Sequence, residues 1–226
     1  MIELKTESAC SKTLLPLVVG GLTITCEDNM ELMARYPDNY FDLAIVDPPY
    51  GLERLQKGSL RLGGVKGNYK DKLEWDKKPT EEYFNELFRV SKNQIVWGAN
   101  NFIMPTSEYF LIWNKKQTVD NFATAKYAWV SMGLKTPAKI FDYGIHKHNH
   151  TDKIHPTQKP IDLYKFILDK YAKQGDKILD THLGSGSIAI ACHDYKFELT
   201  ACELDPEYFE KAKQRIINHV SQQSLF

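Results

Sequence analysis

Two short stretches carry residue types whose chemistry exceeds what a turn requires. Residues 43–51 read LAIVDPPYG, an apolar run that stops at one carboxylate, two prolines and an aromatic ring. Residues 178–192 read ILDTHLGSGSIAIAC, in which Gly184, Ser185 and Gly186 separate two apolar runs. In the first stretch the Asp47 side chain and the Pro48 carbonyl are two hydrogen-bond acceptors one residue apart. Pro48 and Pro49 have a fixed φ and no N–H, so they hold that pair rigidly. Tyr50 adds a face on which a planar base can stack. Such a set suits a conjugated exocyclic amine, a poor nucleophile until acceptors on its N–H groups turn its lone pair toward a methyl donor. A proline turn opened by an aspartate is the plain alternative.

In the second stretch the small residues let the backbone approach a ligand, and the helix that follows offers unpaired N–H groups. Glu203 lies 23 residues after Asp180, at the end of the next expected strand, where a carboxylate can take both hydroxyls of a ribose. The loop is not G-x-G-x-x-G, and Asp180 stands just before it, where a bound phosphate would be repelled. These features favour an adenosine-type ligand with a cationic tail, S-adenosylmethionine, over a dinucleotide.

The elements that must hold these residues follow from periodicity. GLTITC, FDLAIVD, NQIVW, FLIWNK, ATAKYAWVSM, AKIFDYG, KILDTH and ELTACE read as strands. EDNMELMARYP, TEEYFNELFRVS, PIDLYKFILDKYAK, IAIACHDY and PEYFEKAKQRIINHV read as helices, with Thr80 and Asp205 as N-caps. Strands alternating with helices predict an α/β fold, a mostly parallel sheet with helices on both faces. Ligands of such sheets sit at the C-terminal ends of the strands. Both DPPY and LGSGS fall there, so the two stretches are expected to form one site.

At 226 residues the chain suits a single α/β domain. No apolar run approaches the ~18 residues that span a bilayer, and Glu3 and Glu7 argue against a secretory leader. Cys10, Cys26, Cys192 and Cys202 show no paired spacing and read as reduced core thiols of a cytoplasmic protein. The net charge is zero, yet segment 51–78 holds eight Lys/Arg against four Asp/Glu, and segment 111–160 holds eight against three. Together these could present a basic face to a nucleic acid. Solvated loops are the alternative. Residues 51–78 have no periodicity and read as a long basic, mobile loop.

DPPYG, IHPTQKP and ILDTHLGSGS…ELDPEY, in this order, resemble the amino-group DNA methyltransferases that act on adenine N6 or cytosine N4. The catalytic tetrad precedes the cofactor loop, as in the group called beta, and the resemblance spans nearly the whole chain. It implies a Rossmann-like S-adenosylmethionine-dependent methyltransferase fold over residues 1–226, with a seven-stranded sheet containing one antiparallel strand. It implies double-stranded DNA as substrate, no metal, a bacterial or phage-type cytoplasmic setting, and a homodimer as one arrangement. Asp47, Pro48, Pro49 and Tyr50 would hold the flipped base. Asp180, His182, Gly184, Ser185 and Gly186 would pack against the cofactor, with Asp47 and Leu204 beside it. Glu203 would take the ribose, and His155, Thr157 and Lys159 would lie near the methionine tail. An Asp-first tetrad leans to adenine, because cytosine-N4 relatives more often begin with Ser.

The chain departs from the family in two places. Thr181 and His182 stand where Pro and an aromatic residue are usual. Only about 40 residues, 114–154, are left for a target-recognition region. His146, His148 and His150 alternate in HKHNHTDKIH, a spacing compatible with a metal site, with phosphate or base contacts, or with an exposed loop. Lys115, Lys116, Tyr69 and Trp75 suit contacts to DNA or ordinary surface and packing roles. Cytosine N4, RNA adenine or a protein amide as acceptor, a non-catalytic binding module and a nicotinamide-dependent dehydrogenase are the competing functions; the loop pattern disfavours the last.

Overall fold

A computed structural model describes residues 14–51, 77–118, 120, 123–145, 153–155 and 157–223. Most of the basic 51–78 loop, with Tyr69 and Trp75, lies outside these residues, as do Cys10, His146, His148 and His150.

The strands are β1 (Leu17–Val19), β2 (Leu22–Cys26), β3 (Phe41–Val46), β4 (Ser91–Trp97), β5 (Phe110–Asn114), β6 (Ala125–Val130), β7 (Lys139–Asp142), β8 (Lys177–Asp180) and β9 (Glu198–Glu203). The helices are α1 (Asn29–Ala34), α2 (Glu81–Val90), α3 (Ile161–Tyr171), α4 (Ser187–Tyr195) and α5 (Pro206–Gln223). The strands form one sheet in the order β1-β2-β9-β8-β3-β4-β6-β5-β7.

The α/β architecture and its helices on both faces match the sequence reading, but the sheet is larger than expected. It has nine strands among the described residues, against eight read from periodicity and seven implied by the resemblance, and β1 and β6 both run against the rest. The first difference arises at Gly20-Gly21. Both have positive φ, 52° and 83°, the conformation of a tight hairpin turn, so the apolar LVV folds back on β2. The second lies in the 111–142 segment, where β6 inserts between β4 and β5 and leaves β7 parallel to β5 at the edge.

Side chains of β3 and its neighbours alternate between two cores. Leu43, Ile45 and Ile178 point to the face covered by α3, α4 and α5, where Leu163, Ile167, Ile188, Phe209 and Ile216 pack. Ala44, Val46 and Leu179 point to the other, covered by α1 and α2 through Leu32, Met33, Tyr83, Phe84 and Leu87. Burial on both faces explains why these strands read as nearly continuous apolar runs. Asp28 caps α1 by accepting the N–H of Met30 at 2.8 Å. Asp205 caps α5 by accepting those of Glu207 and Tyr208. Thr80 sits at the N-cap of α2 but makes no side-chain cap bond. Asp194 ties three helices together, accepting from Lys165 of α3 and meeting His219 of α5, each at 2.6 Å.

The helical layer over β8 and β9 rests on fully buried Phe209. Phe209→Ala is expected to cost roughly 3–5 kcal/mol of folding stability, read as a lower denaturation midpoint in urea.

Candidate active site

The site lies where the chain leaves two adjacent parallel strands in opposite directions. β3 and β8 are parallel neighbours, with Leu43 opposite Ile178 and Ala44 opposite Leu179. From β3 the chain crosses to β4, whereas from β8 it crosses to β9 on the other side. The two connections diverge and leave a crevice beyond the strand ends, the place where open α/β sheets bind ligands. Asp47-Pro48-Pro49-Tyr50 follows β3 there, and Thr181 to Gly186 follows β8.

Asp47 is gripped on both oxygens. The Tyr50 hydroxyl donates to Oδ1 at 2.6 Å, and the Lys159 ammonium donates to Oδ2. Lys159 sits just before α3, is almost fully buried, and lies over the Trp97 ring at 5.5 Å. Burial pulls its pKa down to about 7, and the carboxylate of Asp180 opposes that pull. The ion pair with Asp47 favours the charged form as well. Burial raises the Tyr50 phenol, keeping it a proton donor to Asp47.

Tyr50 fits only because residue 98 is glycine. Gly98 has φ +67°, and a Cβ there would stand 2.1 Å from Tyr50 Cε1. The ring is framed by Phe102 at 6.1 Å and by the Lys126 ammonium at 4.7 Å. None of Gly98, Phe102 or Lys126 stood out in the sequence as a site residue, although Gly98 interrupts the NQIVWGANNF stretch as a left-handed residue would.

Asp180, at the end of β8, is buried and accepts the N–H of His182 at 2.9 Å. Burial raises its pKa to about 7, and nearby Glu203 adds to the rise. Glu203 ends β9 and ties the loop together, accepting the N–H of Gly184 at 2.8 Å and that of Asp205 at 3.0 Å. Each oxygen keeps a further acceptor site for a ligand hydroxyl. Gly184 and Gly186 both take positive φ, 55° and 72°. Arg215 of α5 clamps the loop from behind, donating to the Ser185 carbonyl at 2.7 Å and to the Ser187 hydroxyl at 3.0 Å. Leu204 is 61% exposed beside Glu203 and offers an apolar surface at the mouth.

The departure at residues 181 and 182 has a structural logic. The Asn29 amide donates to His182 Nε2 at 3.2 Å, which places the ring proton on Nδ1, facing the Thr181 hydroxyl at 2.9 Å. Thr181 also bonds the Tyr83 hydroxyl at 2.7 Å, and the Tyr83 ring meets His182 edge-on at 5.4 Å. Burial lowers the His182 pKa to about 3, so the ring is neutral. His155, from the HPTQKP stretch, is likewise lowered by burial, to about 4, and packs edge-on against Tyr208 at 4.4 Å. Its Nδ1 accepts from the Thr157 hydroxyl at 3.0 Å.

The structure thus brings together the sequence-derived residues Asp47, Tyr50, Lys159, Asp180, His182, Gly184 and Glu203 around one crevice. His155 and Thr157 join from the connection into α3. Tyr83, Asn29, Trp97, Tyr208 and Arg215 support them without having been legible in the sequence. The DNA methylase family profile matches residues 64–214.

The chain belongs to the DNA methylase family.

It resembles the Type II methyltransferase M.HpaI of Haemophilus parainfluenzae, with 23% identity over 240 residues, covering 85% of this chain and 73% of that protein. Among solved structures it matches the M1.HpyAVI complex with SAM at a TM-score of 0.57 and 18% identity, covering 86% of this chain and 99% of that one. It matches the cytosine-N4-specific PvuII DNA methyltransferase at 0.53 and 12%, covering 89% and 92%. At these identities the structural matches establish the fold, that of S-adenosylmethionine-dependent DNA methyltransferases.

In this DNA methylase the buried histidines should dominate one part of the acid response. Both rings stay neutral in the fold, while in the unfolded chain they take up protons near 6.5. Their stabilisation is complete above that pH and is lost as pH falls toward 4 and then 3. His182→Asn is expected to lose less stability than the parent between pH 6.5 and 4.5, measured as urea midpoints across a pH series.

Proposed function

We propose that this protein transfers a methyl group from S-adenosylmethionine to N6 of an adenine flipped out of double-stranded DNA. The observation that carries this reading is the Asp47-Pro48-Pro49-Tyr50 turn at the end of β3, set beside the acidic, glycine-rich loop of β8 across the diverging strands. The donor set fits the cofactor. Asp180 offers a buried carboxylate suited to a cation, Glu203 has acceptors suited to ribose hydroxyls, and Gly184 and Gly186 keep the loop backbone bare. When bound, the cofactor supplies an electrophilic methyl on a sulfonium.

The protein's own groups do the positioning. Asp47 and the Pro48 carbonyl accept the two N–H bonds of the amine, turning its lone pair out of conjugation. Tyr50 supports the ring, and Gly98 and Phe102 hold Tyr50 in place. Asp47 Oδ1 and Oδ2 are engaged by Tyr50 and Lys159, so the amine takes a remaining lone pair or displaces one of them. The proton lost from nitrogen after transfer has an acceptor in Asp47. An aspartate as the first residue of the tetrad favours adenine over cytosine in this reading.

Asp47→Ala is expected to lower methyl transfer to background while stabilisation by S-adenosylhomocysteine in a thermal shift persists. Loss of both would make the tetrad a structural turn. With labelled cofactor and duplex DNA, the label should appear on adenine N6 after digestion to nucleosides; label on cytosine N4 would overturn the choice of base.

A further inference from the structure

Several lysines of this protein sit on carboxylates: Lys92 on Asp42, Lys116 on Asp142, Lys165 on Asp194 and Lys211 on Glu207. Lys115 and Lys126 do not. Among the described residues their close partners are aromatic rings, Trp113 at 5.4 Å from the Lys115 ammonium and Tyr50 at 4.7 Å from that of Lys126. Both are half-buried. Lys126 sits on β6 opposite Trp113 of β5, and Lys115 follows the end of β5, its N–H donating to the Thr124 carbonyl at 2.9 Å. Lys153 lies within charge range of Lys115. Burial lowers both lysines, Lys115 to about 8 with repulsion from Lys126 and Lys153 adding to the fall. Crowded, desolvated ammonium groups without an acid are costly in the free protein, and an incoming anion relieves that cost.

The geometry selects the anion. β5 and β6 lie beyond β4, on the side of β3 away from β8 and β9, so the acidic cofactor loop is on the opposite flank. A carboxylate belonging to the cofactor would meet Lys159 rather than this pair. Lys126 instead lies directly against Tyr50, the ring proposed to support the base. In a nucleotide whose base occupies that ring, the flanking phosphate is one sugar away.

Resting on the proposed function, we infer that Lys115 and Lys126 form the seat for a phosphodiester flanking the flipped nucleotide, so that they hold the extruded base in the site as well as adding charge to the surface. Because a phosphate seat acts at a single linkage, it is separable from general attraction to DNA.

The test uses the full chain and a duplex containing the site that base-resolved sequencing shows the wild type to methylate. Lys115→Gln, Lys126→Gln and the double variant are compared with wild type, with Lys92→Gln as a control on an exposed ion pair. S-adenosylhomocysteine thermal shifts verify folding. Each seat variant is expected to reduce the slope of log affinity against log salt by roughly one, while Lys92→Gln leaves it unchanged. A neutral methylphosphonate placed 5′ or 3′ of the target nucleotide should weaken wild-type binding at one of the two positions. The same substitution should have little further effect in the double variant. Equal slopes in all variants, or a methylphosphonate penalty that persists in the double variant, would overturn the seat while leaving methylation intact. A wild type that transfers no methyl to DNA would overturn the underlying reading and the seat with it.

Discussion

The contact on which the active-site arrangement turns is between the Lys159 ammonium, nearly fully buried, and the half-buried Asp47 carboxylate, groups 112 residues apart. Neither is cheap to bury alone, and removing one partner of such a pair leaves an uncompensated charge. The pair therefore fixes the approach to α3 against the end of β3. It also places a cation between two acids, Asp47 by contact and Asp180 by field. The Lys159 ammonium thus shares its surroundings with two acidic side chains, and burial with nearby Glu203 raises the second of them, Asp180.

Around that contact the neighbouring groups act mainly by excluding alternatives. The tetrad prolines remove backbone freedom, and glycine at position 98 gives Tyr50 a place against the backbone that any side chain would fill. Thr181 and His182 open the loop that follows β8, each held by a side-chain hydrogen bond. The neutral imidazole, bonded to Asn29 and packed on Tyr83, brings a dependence on pH that a phenylalanine would not have. Arg215 then closes the loop from behind, so the glycine turn is held by α5 as well as by its own strand.

Much of this was legible because the chemistry is concentrated at strand ends. Asp47, Tyr50, Asp180, Gly184 and Glu203 stood out by residue type and position and the HPTQKP residues by the family resemblance, and most strands and helices fell where periodicity placed them. The supporting residues were not. Tyr83, Trp97 and Tyr208 carry ordinary core signatures, and Lys126 reads as one surface lysine among several. Their roles come from neighbours distant in sequence. The β1 hairpin escaped because three residues give too little alternation, although Gly20-Gly21 was a visible turn.

By itself the sequence determined the local conformations: which runs extend, which coil, and where rigid or left-handed residues end a strand. Those follow from steric limits within a few residues, which the sequence states directly. The order β8-β3-β4-β6-β5 was decided only in three dimensions, because strand pairing depends on how whole faces bury against helices. That order opened the crevice between β3 and β8, set Lys159 on Asp47, and brought Lys126 to Tyr50.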